Sequence, residues 1–243
     1  MEFFEWFRII ICALCAMFFS YLLGSISFAI IITKGFIKKD IRDFGSGNAG
    51  MTNVLRTVGK LPAILTLIGD MGKAVVAIYL SRYFFSALTF PNAAQVGMYI
   101  GGLFVLLGHI YPIFFNFRGG KGVLTCAGIF CVLDWQLCLV AIAIFIIVAF
   151  ISGYVSLGSI CAMASAPIST LIVGLTLRAD TLATSAVLWQ TFFVFFIASI
   201  SILLHKENIK RLLNHTENGF KKYQKERAAK LKAEAEAQQK SEN

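Results

Sequence analysis

Apolar runs long enough to cross a bilayer are the feature that most limits this chain. A crossing takes about 20 apolar residues, within a range of roughly 17–25. Residues 8–33 carry no charge beyond Arg8, and Trp6 and Phe7 stand at their entry. Further runs cover residues 61–80, interrupted by Asp70 and Lys73, then 93–107, 122–133, 135–151, 154–177 and 182–204. The reading is an all-α membrane protein with seven transmembrane helices. The limits of the third to fifth runs stay open, because short helices beside a polar loop need not cross fully. Composition agrees: 58% of residues are hydrophobic and 14% charged, against about 45–50% and 25% in ordinary soluble domains. A disordered chain, a secreted disulfide scaffold and an ordinary soluble enzyme are thereby excluded.

Charge sets the expected orientation. The chain holds 22 Lys+Arg against 13 Asp+Glu, a net charge of +9. With seven spans, Lys34, Lys38, Lys39, Arg42, Arg56, Lys60, Arg118 and Lys121 share one side with ten more Lys/Arg from Lys206 to Lys240. Arg8, Arg82 and Arg178 fall on the other. The excess of Lys/Arg in cytoplasmic loops places the N-terminus outside and the C-terminus in the cytoplasm. The first run exceeds a signal-peptide core, and no small-x-small site precedes the basic loop, so it reads as a retained helix. Residues 1–218 form the expected membrane domain. Residues 219–243 read as a polar cytoplasmic tail, an exposed helix or disorder. Cys12, Cys15, Cys126, Cys131, Cys138 and Cys161 lie in or beside apolar runs and read as buried thiols rather than redox or zinc pairs.

Three polar segments carry the chemistry. Residues 45–53 read Gly-Ser-Gly-Asn-Ala-Gly-Met-Thr-Asn, with Arg56 close behind. Gly45, Gly47 and Gly50 satisfy the dinucleotide glycine pattern, but a membrane helix precedes them where a strand is required. The P-loop pattern fails because Met51 occupies the lysine position. The shared physics survives: glycines let several N–H groups face one anion. Ser46, Asn48, Thr52 and Asn53 add neutral donors, and Arg56 adds a fork suited to phosphate.

The second segment, residues 108–122, ends in Arg118-Gly119-Gly120-Lys121-Gly122. A helix starting just after it turns free N–H groups and a positive dipole end towards the loop. Interfacial anchoring accounts for a lone Lys, but anchors do not require glycine. His109 reads as a satisfied polar residue. The third segment follows the last apolar run. If it is helical, His205, Asn208 and Leu212 share a face. Lys206, Lys210 and Arg211 read as a juxtamembrane basic cluster. Within the second run, Asp70 and Lys73 at i, i+3 suit a structural ion pair supporting the site. Gly97 and Gly101 suit a helix-packing face.

Together these segments resemble the bacterial acyl-phosphate:glycerol-3-phosphate acyltransferase family. Its first motif, GSGNxGxTN, is matched at residues 45–53, and its second, GHxxPxFxxFxGGKG, at residues 108–122. Its third is matched at Asn208, Ile209, Arg211, Leu212 and Glu217, with His215 standing where the family has glycine. The resemblance covers residues 21–217 and includes Asp70 and Lys73.

The resemblance implies a seven-helix enzyme of the bacterial inner membrane, with its site on the cytoplasmic face. It implies acyl transfer from a fatty acyl phosphate to the 1-hydroxyl of glycerol 3-phosphate, giving lysophosphatidic acid and phosphate. Ser46, Arg56, Lys121, His205 and Asn208 are the implied catalytic residues. Gly45, Gly47, Asn48, Thr52, Asn53, Arg118, Gly119, Gly120 and Gly122 line the phosphates, and Asp70, Lys73, His109 and Glu217 support them. No metal, cofactor or nucleic acid is implied; the bilayer and the enzyme forming the acyl phosphate are the expected partners. A carrier for a phosphorylated metabolite is the competing class. Carriers place their site near the midplane, often between inverted repeats. Here the motifs share one face and no repeat is visible.

Overall fold

A computed structural model describes residues 3–180 and 182–219. The described residues form helices and short turns. The first apolar stretch becomes α1 (Phe3–Ser25) and α2 (Phe28–Ile37). A short helix, α3 (Met51–Thr57), precedes α4 (Lys60–Ser86) and α5 (Ala93–Ile110). There follow α6 (Val123–Leu133), α7 (Trp135–Ser152), α8 (Val155–Thr176), α9 (Thr184–Leu203) and α10 (Lys206–Leu213).

Among the described residues, six helical stretches are long and apolar enough to cross a membrane, the first taking in α1 and α2 together. The remaining apolar helix, α6, has 11 residues. At 1.5 Å per residue it covers about 16 Å, roughly half a bilayer core. The single run expected at residues 8–33 is therefore interrupted, with Ile26 and Ser27 outside helix. No proline causes the break. Ser25 Oγ donates to the Tyr21 carbonyl at 2.8 Å and accepts the Ile113 N–H at 3.3 Å, tying the end of α1 to the loop after α5.

Small residues let the helices approach closely. A side chain at Gly97 would meet the Ser81 carbonyl at 2.7 Å, and one at Gly101 would meet Ser81 Oγ at 2.6 Å. Without a hydrophobic drive between helices in lipid, such close contact is what holds them together. The main core joins Ala74, Ala77, Val105, Ile129, Ala162, Ala166 and Ile197 from five helices. A second cluster (Ala29, Ile30, Ile41, Ala49, Val54 and Ala63) forms a floor beneath the first glycine loop.

The two ends of the bundle differ. At one end Arg8 Nη2 donates to the Ala87 carbonyl at 2.6 Å, and Arg178 Nη1 pairs with Asp134 Oδ2 at 2.9 Å. Asp134 Oδ1 also caps α7, accepting the N–H groups of Gln136 and Leu137. The opposite end gathers all three polar segments. The six cysteines are free; Cys126 and Cys138 are buried, whereas Cys12, Cys15 and Cys161 are half-buried and Cys131 is exposed. Burial thus fails for four of the six expected buried thiols, because half of a lipid-facing helix has no protein neighbour. Of the expected tail, only Gly219 lies within the described residues.

Candidate active site

The site is built on a loop, a loop–helix junction and a short terminal helix. Asn53 organises the first loop. Its Oδ1 accepts the Ser46 N–H at 3.2 Å, and its Nδ2 donates to the carbonyls of Ile41, Phe44 and Asn48 at 2.9–3.1 Å. Asn53 is 3% exposed, so its amide is spent on the loop itself. Gly47 N–H bonds the Phe44 carbonyl, and Gly50 N–H bonds that of Asn48. The loop is therefore pre-tied, and the Ser46, Gly47 and Gly50 N–H groups do not converge outward. Gly45 and Gly47 adopt φ of 57° and 69°, and Asn53 Oδ1 occupies the place of a Gly45 side chain. Ser46 is exposed, while Asn48, Thr52 and Arg56 are half-buried.

Arg42, unremarked in sequence beyond its charge, staples this loop to the second. Its Nη1 donates to the carbonyls of Phe115 at 2.7 Å and Arg118 at 3.1 Å. Its other nitrogens clasp Asp40 at 3.0 Å. Burial pushes the Asp40 carboxyl up, but the bonds and charge of Arg42, helped by Lys34, leave it below its ordinary value. The Arg118 side chain itself is exposed.

In the second loop, Gly119 N–H donates to the Ile110 carbonyl at 3.0 Å and Gly120 N–H to that of His109 at 3.2 Å. These bonds satisfy carbonyls left over at the end of α5. The N–H groups of the two glycines thus fold the loop back onto α5. Gly122 sits just before α6, whose first backbone bond runs from Cys126 N to the Gly122 carbonyl. The N–H groups of the first turn of α6 therefore have no helical partner.

Lys121 stands between them and is held at both ends. Ser201 Oγ on α9 donates to its carbonyl at 3.0 Å. Its ammonium donates to Asn208 Oδ1 on α10. Asn208 passes the connection on, donating through Nδ2 to Glu217 Oε1 at 2.9 Å. Glu217 also accepts from Ser156 Oγ of α8 at 3.0 Å and from Arg211 Nε at 2.8 Å. One residue further, the Asn218 carbonyl accepts from Arg56 Nη2 at 2.8 Å. The first segment thus reaches the third, and Ala49 meets Gly120, where an added side chain would lie 2.6 Å from the Ala49 carbonyl.

The electrostatics follow. Burial, then the charge of Arg211, brings the Lys121 amine down to about 8, against the pull of Glu217 and Glu207. Burial and the Lys121 charge bring His205 down to about 4, although the Ser201 carbonyl and Glu217 favour its charged form. His205 is therefore neutral at pH 7. A carbonyl only accepts, so the 2.8 Å contact to Ser201 places the ring hydrogen on Nδ1 and the lone pair on Nε2. Burial raises Glu217, but bonds from Arg211, Asn208 and Ser156 outweigh it and hold the carboxyl below its ordinary value.

Of the expected residues, Lys121, Asn208 and Glu217 meet directly. Arg56 joins through Asn218, and His205 through Ser201. Ser46 lies three residues before the meeting of the loops at Ala49. Asp70, Lys73 and His109 form a buried group beneath. Arg42, Ser156, Ser201 and Arg211 complete the arrangement without having been assigned to the site in sequence. A dense charge pattern before the glycine loop (Asp40, Arg42, Asp43) was the available signal for Arg42.

Comparison with known proteins agrees with this geometry. The family model described as glycerol-3-phosphate acyltransferase matches residues 14–215. The glycerol-3-phosphate acyltransferase of Syntrophotalea carbinolica is 42% identical over 202 residues, covering 83% of this chain and 94% of that protein. That of Endomicrobium trichonymphae is 37% identical over 206 residues, covering 85% and 94%. Among solved structures, PlsY (YgiH), an integral membrane glycerol 3-phosphate acyltransferase, superimposes in its glycerol 3-phosphate form with a TM-score of 0.72 at 33% identity, covering 86% of this chain and 95% of that one. Its lysophosphatidic acid form gives 0.70. With the family model matching residues 14–215 and relatives 37–42% identical covering 83–85% of its length, this chain belongs to the family of integral membrane glycerol-3-phosphate acyltransferases.

Proposed function

We propose that the chain transfers a fatty acyl group from acyl phosphate to the 1-hydroxyl of glycerol 3-phosphate, releasing lysophosphatidic acid and inorganic phosphate. The observation that carries this reading is Lys121, a half-buried cation set between the open N-terminus of α6 and the Asn208–Glu217 pair, with Arg56 tied beside it. Both substrates carry phosphate, so a cationic cluster at one end of an apolar bundle suits both. The acyl chain lies among the helices and the reacting carbonyl sits near the surface.

The acceptor oxygen attacks the acyl carbon, the bond from that carbon to the phosphate oxygen breaks, and phosphate leaves. Phosphate is already a good leaving group, so the reaction needs orientation and charge stabilisation rather than a covalent enzyme intermediate. Ser46, Arg56 and Lys121 hold the glycerol 3-phosphate phosphate in this reading, with Thr52 and the α6 N-terminus nearby. Asn208 and His205 orient the glycerol. The hydroxyl proton goes to the departing phosphate or to the lone pair of His205. The motif end faces the cytoplasm of a bacterial inner membrane, the helices cross seven times with the N-terminus outside, and residues 219–243 form a cytoplasmic tail. In support, Arg8 and residues 205–218 meet opposite ends of the bundle.

Purified protein given glycerol 3-phosphate should release lysophosphatidic acid with acyl phosphate and none with acyl-CoA. Product from acyl-CoA alone would reverse the donor. No product from either would restore the carrier reading.

The pH dependence has a definite sign. Lys121 is charged below about 8 and loses its attraction for phosphate above it. The KM for glycerol 3-phosphate should stay level from pH 6.5 to 7.5, then rise about tenfold per unit well above pH 8. Initial rates across a pH series check this; a KM that stays level to pH 10 excludes Lys121 as the cation.

A further inference from the structure

Lys73 lies inside α4, away from both glycine loops, and its side chain is 2% exposed. The Lys73 ammonium meets three partners, an ion pair with Asp70 and hydrogen bonds to the Ile26 carbonyl and to His109. Asp70 Oδ1 lies at 2.9 Å, the Ile26 carbonyl at 2.9 Å and His109 Nδ1 at 3.0 Å. The partners belong to three separate parts of the chain. Asp70 is on α4 itself. Ile26 is at the break between α1 and α2, where a backbone carbonyl has lost its helical partner. His109 is in the last turn of α5, the turn whose carbonyls receive Gly119 and Gly120.

The second edge of His109 faces the loop. Lys73 only donates, so Nδ1 accepts and the ring hydrogen sits on Nε2. That nitrogen fills the space beneath Gly120, where a side chain would collide with it. The His109 carbonyl takes the Gly120 N–H from the same side. Lys121 is the next residue. A continuous set of contacts therefore runs from the broken first helix through Lys73 and His109 to Gly120 and the cation of the site.

We propose that Lys73 is a positioning residue for the anion site, fixing the place of Lys121 through His109 and Gly120. The inference rests on the reading of Lys121 as a phosphate-binding cation. A buried ion pair within a bundle contributes little stability over apolar side chains of similar volume, and ionisable groups at such depth are costly. What this pair supplies is geometry. Helix adhesion alone needs neither a bond to a broken helix nor a histidine whose far edge supports the loop.

The test removes both charges together, so that no lone charge is left buried. D70N/K73M should be recovered folded and should raise the KM for glycerol 3-phosphate about tenfold, with kcat within about twofold, as expected of a displaced rather than absent group. In a K121M background the same pair should add less than about twofold, because the route ends at Lys121. A wild-type KM in D70N/K73M, or an undiminished tenfold effect without Lys121, overturns the proposal. If D70N/K73M does not fold, H109Q keeps an acceptor for Lys73 but withdraws the ring from beneath Gly120, and should raise the KM similarly; a wild-type KM there also overturns it. The rate at which acetic anhydride modifies Lys121, relative to Lys60, gives a readout independent of acyl transfer. It should change at least about threefold in either variant. An unchanged rate rejects the positioning role, whereas an inactive wild type rejects the acyltransferase reading alone.

Discussion

Lys121→Met should raise the KM for glycerol 3-phosphate by about 10- to 100-fold, the loss of one charge-assisted bond of roughly 1.5–3 kcal/mol. Methionine keeps the stem that fills the space between α6 and α10 but withdraws the ammonium from Asn208. The fold should survive, because the Lys121 carbonyl still receives Ser201 Oγ and Asn208 Nδ2 still binds Glu217. Lys121→Arg should not restore the site fully. A planar guanidinium is larger, and its fork differs in geometry from an ammonium seated on one amide oxygen. Initial rates at varied glycerol 3-phosphate, with thermal unfolding in detergent alongside, separate a binding loss from a folding loss. An unchanged KM would remove Lys121 from the site.

Glu217→Ala should damage both stability and turnover. One carboxylate accepts from α8 and twice from α10, and its side chain is 4% exposed. Alanine leaves Ser156 and Asn208 without their acceptor and Arg211 without its counter-charge. Because Arg211 is 34% exposed, water screens part of that loss, and about 2–3 kcal/mol is the expected cost. Over a chain of this length that lowers the unfolding midpoint on the order of 5–10 °C. Turnover should fall further than stability alone explains, since Asn208 loses the bond that fixes which way its amide faces Lys121. Glu217→Gln retains an acceptor for Asn208 or Ser156 and should fall between. A Glu217→Ala protein with wild-type midpoint and kcat would show that the carboxylate organises nothing. The sign of the pH effect follows from its lowered pKa. The stabilisation is present above the ordinary carboxyl value and is lost as pH falls through the lowered one.

The long helices were legible because apolar length is the requirement a bilayer imposes, and the runs near residues 61, 135, 154 and 182 each became one helix. The break at Ile26 was not, since no proline or charge marks it. It depends on Lys73 and Ile113, 47 and 87 residues further along. The Asp70–Lys73 pair was readable from its helical spacing, but the bond from Lys73 to the Ile26 carbonyl was invisible for the same reason as the break.

The candidate site divides in the same way. Lys121 beside glycines and Asn208 one turn after His205 were apparent from residue type and spacing. Composition shows that Asn53, Gly119 and Gly120 can bind an anion, but not where their donors point. In the folded chain those donors are consumed by the carbonyls of residues 41, 44, 48, 109 and 110. Arg42 escaped for the opposite reason. It looked like one more positive charge of a cytoplasmic loop until its guanidinium was found on Phe115 and Arg118.

The bond from Arg56 to the Asn218 carbonyl joins residues 162 positions apart. It bears on how such a protein is made. Chains emerge from the ribosome N-terminus first, and their early parts fold first. Two glycine loops and Lys121 can reach the membrane surface while Asn208, Glu217 and Asn218 are still untranslated or inside the ribosomal tunnel. Until those residues arrive, Lys121 lacks its amide, Arg56 lacks its carbonyl, and the third segment of the candidate site is missing. The last described helix and the residues just after it therefore act as a keystone: the candidate site closes only after every preceding helix has been delivered to the bilayer.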